Sequence, residues 1–139
     1  MSPPAPWLPY ARSLGMTTRY LLPTGMSWSA VTPLIAGEGR RPYVKVASDG
    51  VRTIHVAFTD GHPMEEERDS LYYVAYRAGA FLHADGTPVA RLDDLPIDPG
   101  DADLVYDAEA RGVSSWVWDV AADSLGCPAI AYAVFPEGT

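Results

Sequence analysis

"YVKVASDGVRTIHVAF", residues 43–58, decides the fold class. Tyr43, Lys45 and Ala47 alternate with Val44 and Val46, and Ile54, Val56 and Phe58 alternate with Thr53, His55 and Ala57. Successive side chains of a strand point to opposite faces, so a period of two over a run this short specifies a strand. Between the two runs, "SDGVR" supplies the small, polar and glycine residues of a tight turn. The stretch therefore predicts two antiparallel strands.

Moving outward, "LYYVAY" (71–76) is a third strand, rich in aromatic residues. "SWVWDVA" (115–121) and "AIAYAVF" (129–135) are two more, joined by "ADSLGCP". Near the start, "TTRYLL" (17–22) and "SAVTPLI" (29–35) flank the turn "PTGMSW". Residues 101–110, "DADLVYDAEA", allow about two helical turns with Asp101 or Asp103 as N-cap. No long helical stripe exists, and the predicted class is all-β with antiparallel sheets.

The strands repeat. Val44 to Asp49 align with Trp118 to Asp123 at an offset of 74 residues, whereas Gly50 and Ile54 align with Gly126 and Ile130 at an offset of 76. This alignment places two extra residues in the second turn. Strand–turn–strand modules thus lie near 41–80 and 114–135, with an elaborated connection over 81–113. Repeated antiparallel modules of this kind suggest blades of a β-propeller. A ring of four blades needs roughly 160 residues or more, so residues 17–139 are expected to form about two blades of a larger ring or to close it by self-association.

Composition narrows the partners. The chain has 139 residues, 47% hydrophobic and 20% charged, with a formal net charge of −8. An acidic surface repels phosphate backbones, which argues against nucleic acid. Cys127, the single cysteine, makes neither an internal disulfide nor a multi-cysteine zinc site. No apolar stretch is long enough for a membrane-spanning helix. "MSPPAPWLPYARSLG" carries Pro3, Pro4, Pro6 and Pro9 and lacks the apolar region of a signal peptide. Residues 1–16 are expected to be a proline-rich lead-in, with Trp7 and Tyr10 against the body. The cellular compartment is left open.

Three stretches carry a family likeness: "RRPYVKVASDGVRTIHVAFTDGHP", "SLYYVAYRAGAFLHADGTPVARL" and "WVWDVAADSLGCPAIAYAVF". Together they resemble the BNR-repeat, sialidase-like propeller proteins, a group that includes propeller-type polysaccharide lyases such as ulvan lyases. The likeness covers about residues 17–135. The Asp-box turn of that family falls on "LLPTGMSW", where Gly25, Ser27 and Trp28 fit but Leu21 and Pro23 replace the hydroxyl and aspartate. The resemblance implies a carbohydrate-active propeller that acts on an acidic polysaccharide or glycoside by lyase or hydrolase chemistry.

The candidate site centres on "FTDGHPMEEERDSL" (58–71), a loop longer than a hairpin requires. Asp60-Gly61 makes its turn, and Pro63 restricts His62. His62 can neutralise a uronate carboxylate, transfer a proton or ligate a metal; alternatively it only bonds its own turn. Tyr72 and Tyr73 face opposite ways, so one reaches the rim. Tyr73 is assigned with His62 as the catalytic pair, since a tyrosine near a cation serves as base and acid. Asp60, Arg41, Lys45, Tyr72 and Asp119 are assigned to substrate binding. Lys45 and Asp119 hold equivalent repeat positions, facing a central channel or pairing with each other between blades. An arginine at the rim grips a carboxylate bidentately, and of Arg40 and Arg41 at most one serves.

Trp116 and Trp118 share a face by alternation and are expected in the core. His55 is read as a core histidine, His83 as solvated, and "MEEER" (64–68) as a solvated tip. The histidine spacings match no compact metal motif, so no metal is assigned, and the cofactor is left open. Three functions stay open: part of a carbohydrate-cleaving propeller, a non-catalytic sugar-binding propeller, or an inactive fragment that self-associates.

Overall fold

The computed structural model describes residues 11–12, 15–18 and 29–136. Strand β1 (Ala11–Arg12), β2 (Gly15–Thr18) and β3 (Thr32–Pro33) form a small antiparallel sheet in that order. Among the described residues, the pairing of β1 with β2 thus falls inside the expected lead-in. Of the predicted strand at 17–22, residues 17–18 fall in β2 and the rest lie outside the described residues; within the predicted 29–35, the strand is confined to Thr32–Pro33. Trp7, Tyr10 and the degenerate box at 21–28 lie outside the described residues.

The main sheet is antiparallel throughout. Strand β4 (Val44–Ser48), β5 (Ile54–Thr59), β6 (Leu71–Arg77), β7 (Ala80–Leu82) and β8 (Pro88–Arg91) are neighbours in chain order. The three strands predicted at 43–48, 53–58 and 71–76 are consecutive in this sheet. Strand β9 (Asp103–Tyr106) returns to the outer side of β6 beside β7, pairing Tyr73 with Asp103 and Tyr72 with Leu104. This overturns the predicted helix over 101–110. "DLVY" carries a β-branched and an aromatic residue, and the free edge of β6 offers it a ladder. The helix that does form, α1 (Ala108–Arg111), is one turn long, and Asp107 caps it by accepting from the Ala110 amide at 3.0 Å.

Alternation on β5 divides two cores. Val56 and Phe58 join Leu34, Ile35, Val74, Phe81 and Ile97 on one face. Ala57 faces Leu71, Val117 and Val120 on the other. The connection helps close the first core: the Ile97 amide donates to the Leu34 carbonyl and the Ala36 amide to the Ile97 carbonyl, both at 2.8 Å. The second core is the seam with a two-stranded sheet made of β10 (Ser114–Ala122) and β11 (Pro128–Phe135). Small residues at Ala47 and Ala57 let β10 approach β4 and β5 closely. These are antiparallel, blade-like sheets packed face to face.

The repeat is more regular than the glycines suggest. Ser48 pairs with Ile54 and Ala122 with Pro128; Val46 pairs with Val56 and Val120 with Ile130. The offset is therefore 74 on both sides of the turn, not 76 after it. Asp49 Oδ1 accepts from the Val51, Arg52 and Thr53 amides, and Asp123 Oδ1 accepts from the Leu125 and Cys127 amides. Both turns have five residues. The left-handed backbone is taken at the second position by Gly50 (φ 77°) and at the fourth by Gly126 (φ 80°). Matching one glycine to the other is what misplaced the later strand.

A bulge also breaks the expected alternation on β10. Val117 pairs with Tyr132 and Asp119 with Ala131, leaving Trp118 as the extra residue. The bulge lets Val117 and Val120 both face the seam. It turns Trp118 outward, 70% exposed, instead of into the core as predicted.

Candidate functional site

Backbone chemistry fixes the loop between β5 and β6. The Asp60 amide donates to the Ser70 carbonyl at 3.3 Å, and the Ser70 amide donates to Asp60 Oδ1 at 3.0 Å, closing the base. The Thr59 hydroxyl donates to the Gly61 carbonyl at 2.6 Å. The Glu65 and Glu66 amides both donate to the His62 carbonyl at 2.9 Å, which tightens the tip. No side chain fits at Gly61: a Cβ there would sit 2.6 Å from Glu66 Cγ and 2.7 Å from Asp69 Oδ1.

His62 does bond its own turn, through the Met64 amide donating to Nδ1 at 3.2 Å. In the neutral ring this leaves the proton on Nε2. The ring also packs on aromatic neighbours. Its centroid lies 5.8 Å from Trp116 and 6.3 Å from Tyr43, and those two rings are 5.4 Å apart, edge to face. Lys45 Nζ stands 5.5 Å from the Tyr43 centroid, within cation–π range. Trp116 Nε1 is buried and has no acceptor among the described residues. Imidazole, two aromatic rings and an ammonium thus form one patch at the seam of the two modules. Trp116 lines this patch rather than sitting wholly in the core.

A second group holds the other side of the loop. Arg40 reaches Asp60 at 3.5 Å and Glu66 at 3.8 Å, while Arg41 pairs with Glu65 at 3.0 Å. Tyr72 stacks on Phe58 and directs its hydroxyl to Asp60 Oδ2 at 3.5 Å. Burial pushes the Asp60 carboxyl up, against the Ser70 amide and Arg40 that pull it down. Burial, with the Asp60 carboxylate beside it, also pushes the Tyr72 phenol up, so it serves as a neutral donor. An open cleft of about 410 Å³ adjoins the arginines, walled by Ile35, Gly37 and Pro96 besides Arg40, Arg41 and Glu65. Met64, Glu65 and Glu67 are exposed, as expected of a solvated tip, but Glu65 and Glu66 also hold the two arginines.

Two assigned residues lie elsewhere. Tyr73 is inside the sheet, its hydroxyl 2.7 Å from His55 Nδ1, and burial pushes its phenol up to about 12. It faces the buried seam because Tyr72 takes the other face, so it does not reach the rim. Asp119 matches Lys45 in register but is exposed on β10, and its Oδ1 accepts from the Val120 amide at 2.9 Å. Among the described residues no Lys45–Asp119 ion pair forms. His55 is buried as expected. His83 is not simply solvated: its Nδ1 lies 2.8 Å from Asp103 Oδ1. No cluster among the described residues has the make-up of a metal site.

Sequence reasoning missed Asp69 altogether. It follows four charged residues and reads as solvated, yet it is fully buried, and neither carboxylate oxygen has a hydrogen-bond partner. Burial, then the nearby Asp60 and Glu66, push its carboxyl up to about 7. Only its place two residues before a buried strand hinted at this.

The sequence profile of the BNR repeat-containing family matches residues 15–139. The chain belongs to that family. Neither the curated proteins nor the solved structures contain a significant match to it.

Proposed function

We propose that this member of the BNR repeat-containing family forms part of a carbohydrate-active propeller whose His62 rim takes an acidic polysaccharide or glycoside. The observation that carries the reading is the seam patch: His62 with its Nε2 proton, the Tyr43 and Trp116 rings, and the Lys45 ammonium. Aromatic faces suit sugar rings, and a cation beside a protonated ring nitrogen suits a uronate carboxylate. Arg41, at the adjoining cleft, offers a second carboxylate contact if Glu65 releases it. Asp60 at the base of the loop and Tyr72 on the adjoining β6 supply a carboxylate and a hydroxyl donor. Of the assigned catalytic pair only His62 remains available, as a donor of its Nε2 proton to a leaving oxygen, because Tyr73 is sequestered.

The test is calorimetric binding of uronate-containing and neutral oligosaccharides, followed by product analysis. Acidic oligosaccharides bind, neutral ones do not, and Lys45→Ala or Trp116→Ala weakens binding about tenfold, near 1.4 kcal/mol. Unsaturated uronate ends indicate lyase chemistry, new reducing ends alone indicate hydrolysis, and binding without either indicates a sugar-binding module. Equal binding of neutral and acidic sugars, or none, rejects the reading.

A second reading has its own support. Strand β11 is an open edge among the described residues, with Tyr132, Val134 and Phe135 exposed and no charge from Pro128 to Phe135. Uncharged apolar edges recruit further strands. On this reading the chain self-associates through β11.

A further inference from the structure

We propose that Asp69 is a proton-operated latch that fastens the His62 loop to the first strand of the second module. The inference is independent of what the rim binds. Asp69 is the residue where loop and seam meet. Its amide donates to the Ser114 hydroxyl at 3.0 Å. Its carbonyl accepts from the Ser115 amide at 3.0 Å and from the Ser115 hydroxyl at 2.8 Å. Three bonds to the Asp69 main chain, one from a backbone amide and two with serine hydroxyls, therefore tie the end of the loop to β10. The side chain goes the other way, into the loop, where Oδ1 lies in the notch left by Gly61 beside the Glu66 stem.

The chemistry of that notch is unfavourable for a carboxylate. Asp69 has no solvent exposure and neither oxygen has a partner. A buried ionised carboxylate without donors is strongly destabilised, whereas a neutral carboxyl tolerates the same site. The charged groups around it are two acids, Asp60 and Glu66, and one base, Arg40. Arg40 already pairs with both of those acids. From β10, only the uncharged Ser114 and Ser115 face it, and both are engaged with its backbone. Among the described residues no further base is placed to neutralise a third negative charge. Protonated, Asp69 seats the loop; ionised, it is driven toward water and draws its backbone off Ser114 and Ser115.

The direction with pH follows. The carboxyl is raised in the closed form and ordinary, near 3.9, once open. Closure is complete at acid pH and is lost as pH rises from about 4 through about 7.

Amide hydrogen exchange on the full chain tests this, with protection factors corrected for the intrinsic pH dependence. Between pH 5 and 8, protection of the Asp69 and Ser115 amides should fall at least tenfold, while amides pairing β7 with β8 hold constant. In Asp69→Asn, which cannot ionise, protection should stay level across the range; in Asp60→Asn the fall should persist. Equal loss in the wild type and Asp69→Asn, or no loss in the wild type, overturns the latch. If Asp69→Asn does not fold, the carboxyl carbon of Asp69 in the wild type still decides by NMR. Titration near neutrality supports the latch, and titration below pH 4.5 overturns it.

Discussion

Strands β5 and β11 occupy the same place in the repeat, 74 residues apart, and meet opposite fates. "IHVAFT" and "PAIAYAVF" are similarly apolar. Five of the six β5 residues are buried, whereas most of β11 is exposed. The difference lies in their neighbours. β5 has β4 and β6 on its two edges, the first core on one face and β10 on the other. β11 has β10 on one edge, and the described residues offer little else to cover it. Apolar alternation thus specifies a strand and its register, and the count of packed neighbours specifies burial.

The sharpest break of this comparison substitutes equivalent aromatics. Phe58 is 0% exposed in the first core, and its counterpart Tyr132 is 42% exposed beside Tyr106. Phe58→Ala should cost about 3–5 kcal/mol through lost burial and a cavity. Tyr132→Ala should cost about 1 kcal/mol or less, the scale of one aromatic pair. Chemical denaturation followed by circular dichroism measures both. Similar costs would mean that β11 is as deeply packed as β5 in solution.

How much was readable before the structure follows from the same logic. The strands β4 and β5 were legible because each alternates and a turn signal lies between them, and β6 because of its run of aromatic and β-branched residues. So was the loop that presents His62, since Asp60-Gly61 and Pro63 leave it few conformations. The bulge at Trp118 was not legible: nothing in "SWVWDVA" marks which residue drops out of the ladder, and the choice is made by Val117 and Val120 both reaching the seam. Strand β9 was mistaken for helix because its partner edge on β6 lies 30 residues back, beyond any local pattern. The burial of Asp69 was hidden for a related reason. Its charge pointed to solvent, while the Ser114–Ser115 contacts that hold it come from 45 residues downstream. Within the site, the loop was legible and its aromatic wall from Tyr43 and Trp116 was not, because that wall joins two modules.

A titratable group sharpens the comparison further. His55 on β5 is buried against Tyr73, and its equivalent on β11, Ala129, is exposed. Burial holds the His55 imidazole below its ordinary range, with Arg77 adding to the effect and Asp49 and the Gly126 carbonyl opposing it. Because its folded value is depressed, its contribution to stability is fully present above about pH 6.5 and is lost as pH falls through the folded value. His55→Gln should flatten that acid limb of the denaturation midpoint. Ala129→His, by contrast, should add no pH dependence and titrate near 6.5 by NMR. The sign is opposite to that of Asp69, so the two effects separate: Asp69→Asn alters the limb toward neutral pH and leaves the His55 limb in place. An acid limb that survives His55→Gln would assign it to another group.

The smallest effect on folding is expected at the open edge. Val134 is 44% exposed on β11, opposite Ser115, and its side chain contributes little burial. Val134→Lys should change stability by no more than about 0.5 kcal/mol, the usual range for a surface position. The same change places a charge on an edge that has none, the device by which natural sheets prevent edge pairing. Net charge opposes association only weakly, since screening at physiological salt limits repulsion to about 8 Å. On the self-association reading, apolar burial of the edge, worth about 25 cal/mol per Å², outweighs that repulsion in the unsubstituted chain. Light scattering should find the wild type heavier than its 15.0 kDa monomer and Val134→Lys close to that mass. A wild type that is already monomeric removes the self-association reading. A variant that associates as before, at unchanged stability, moves the contact away from β11, to the exposed Trp118 or another apolar surface.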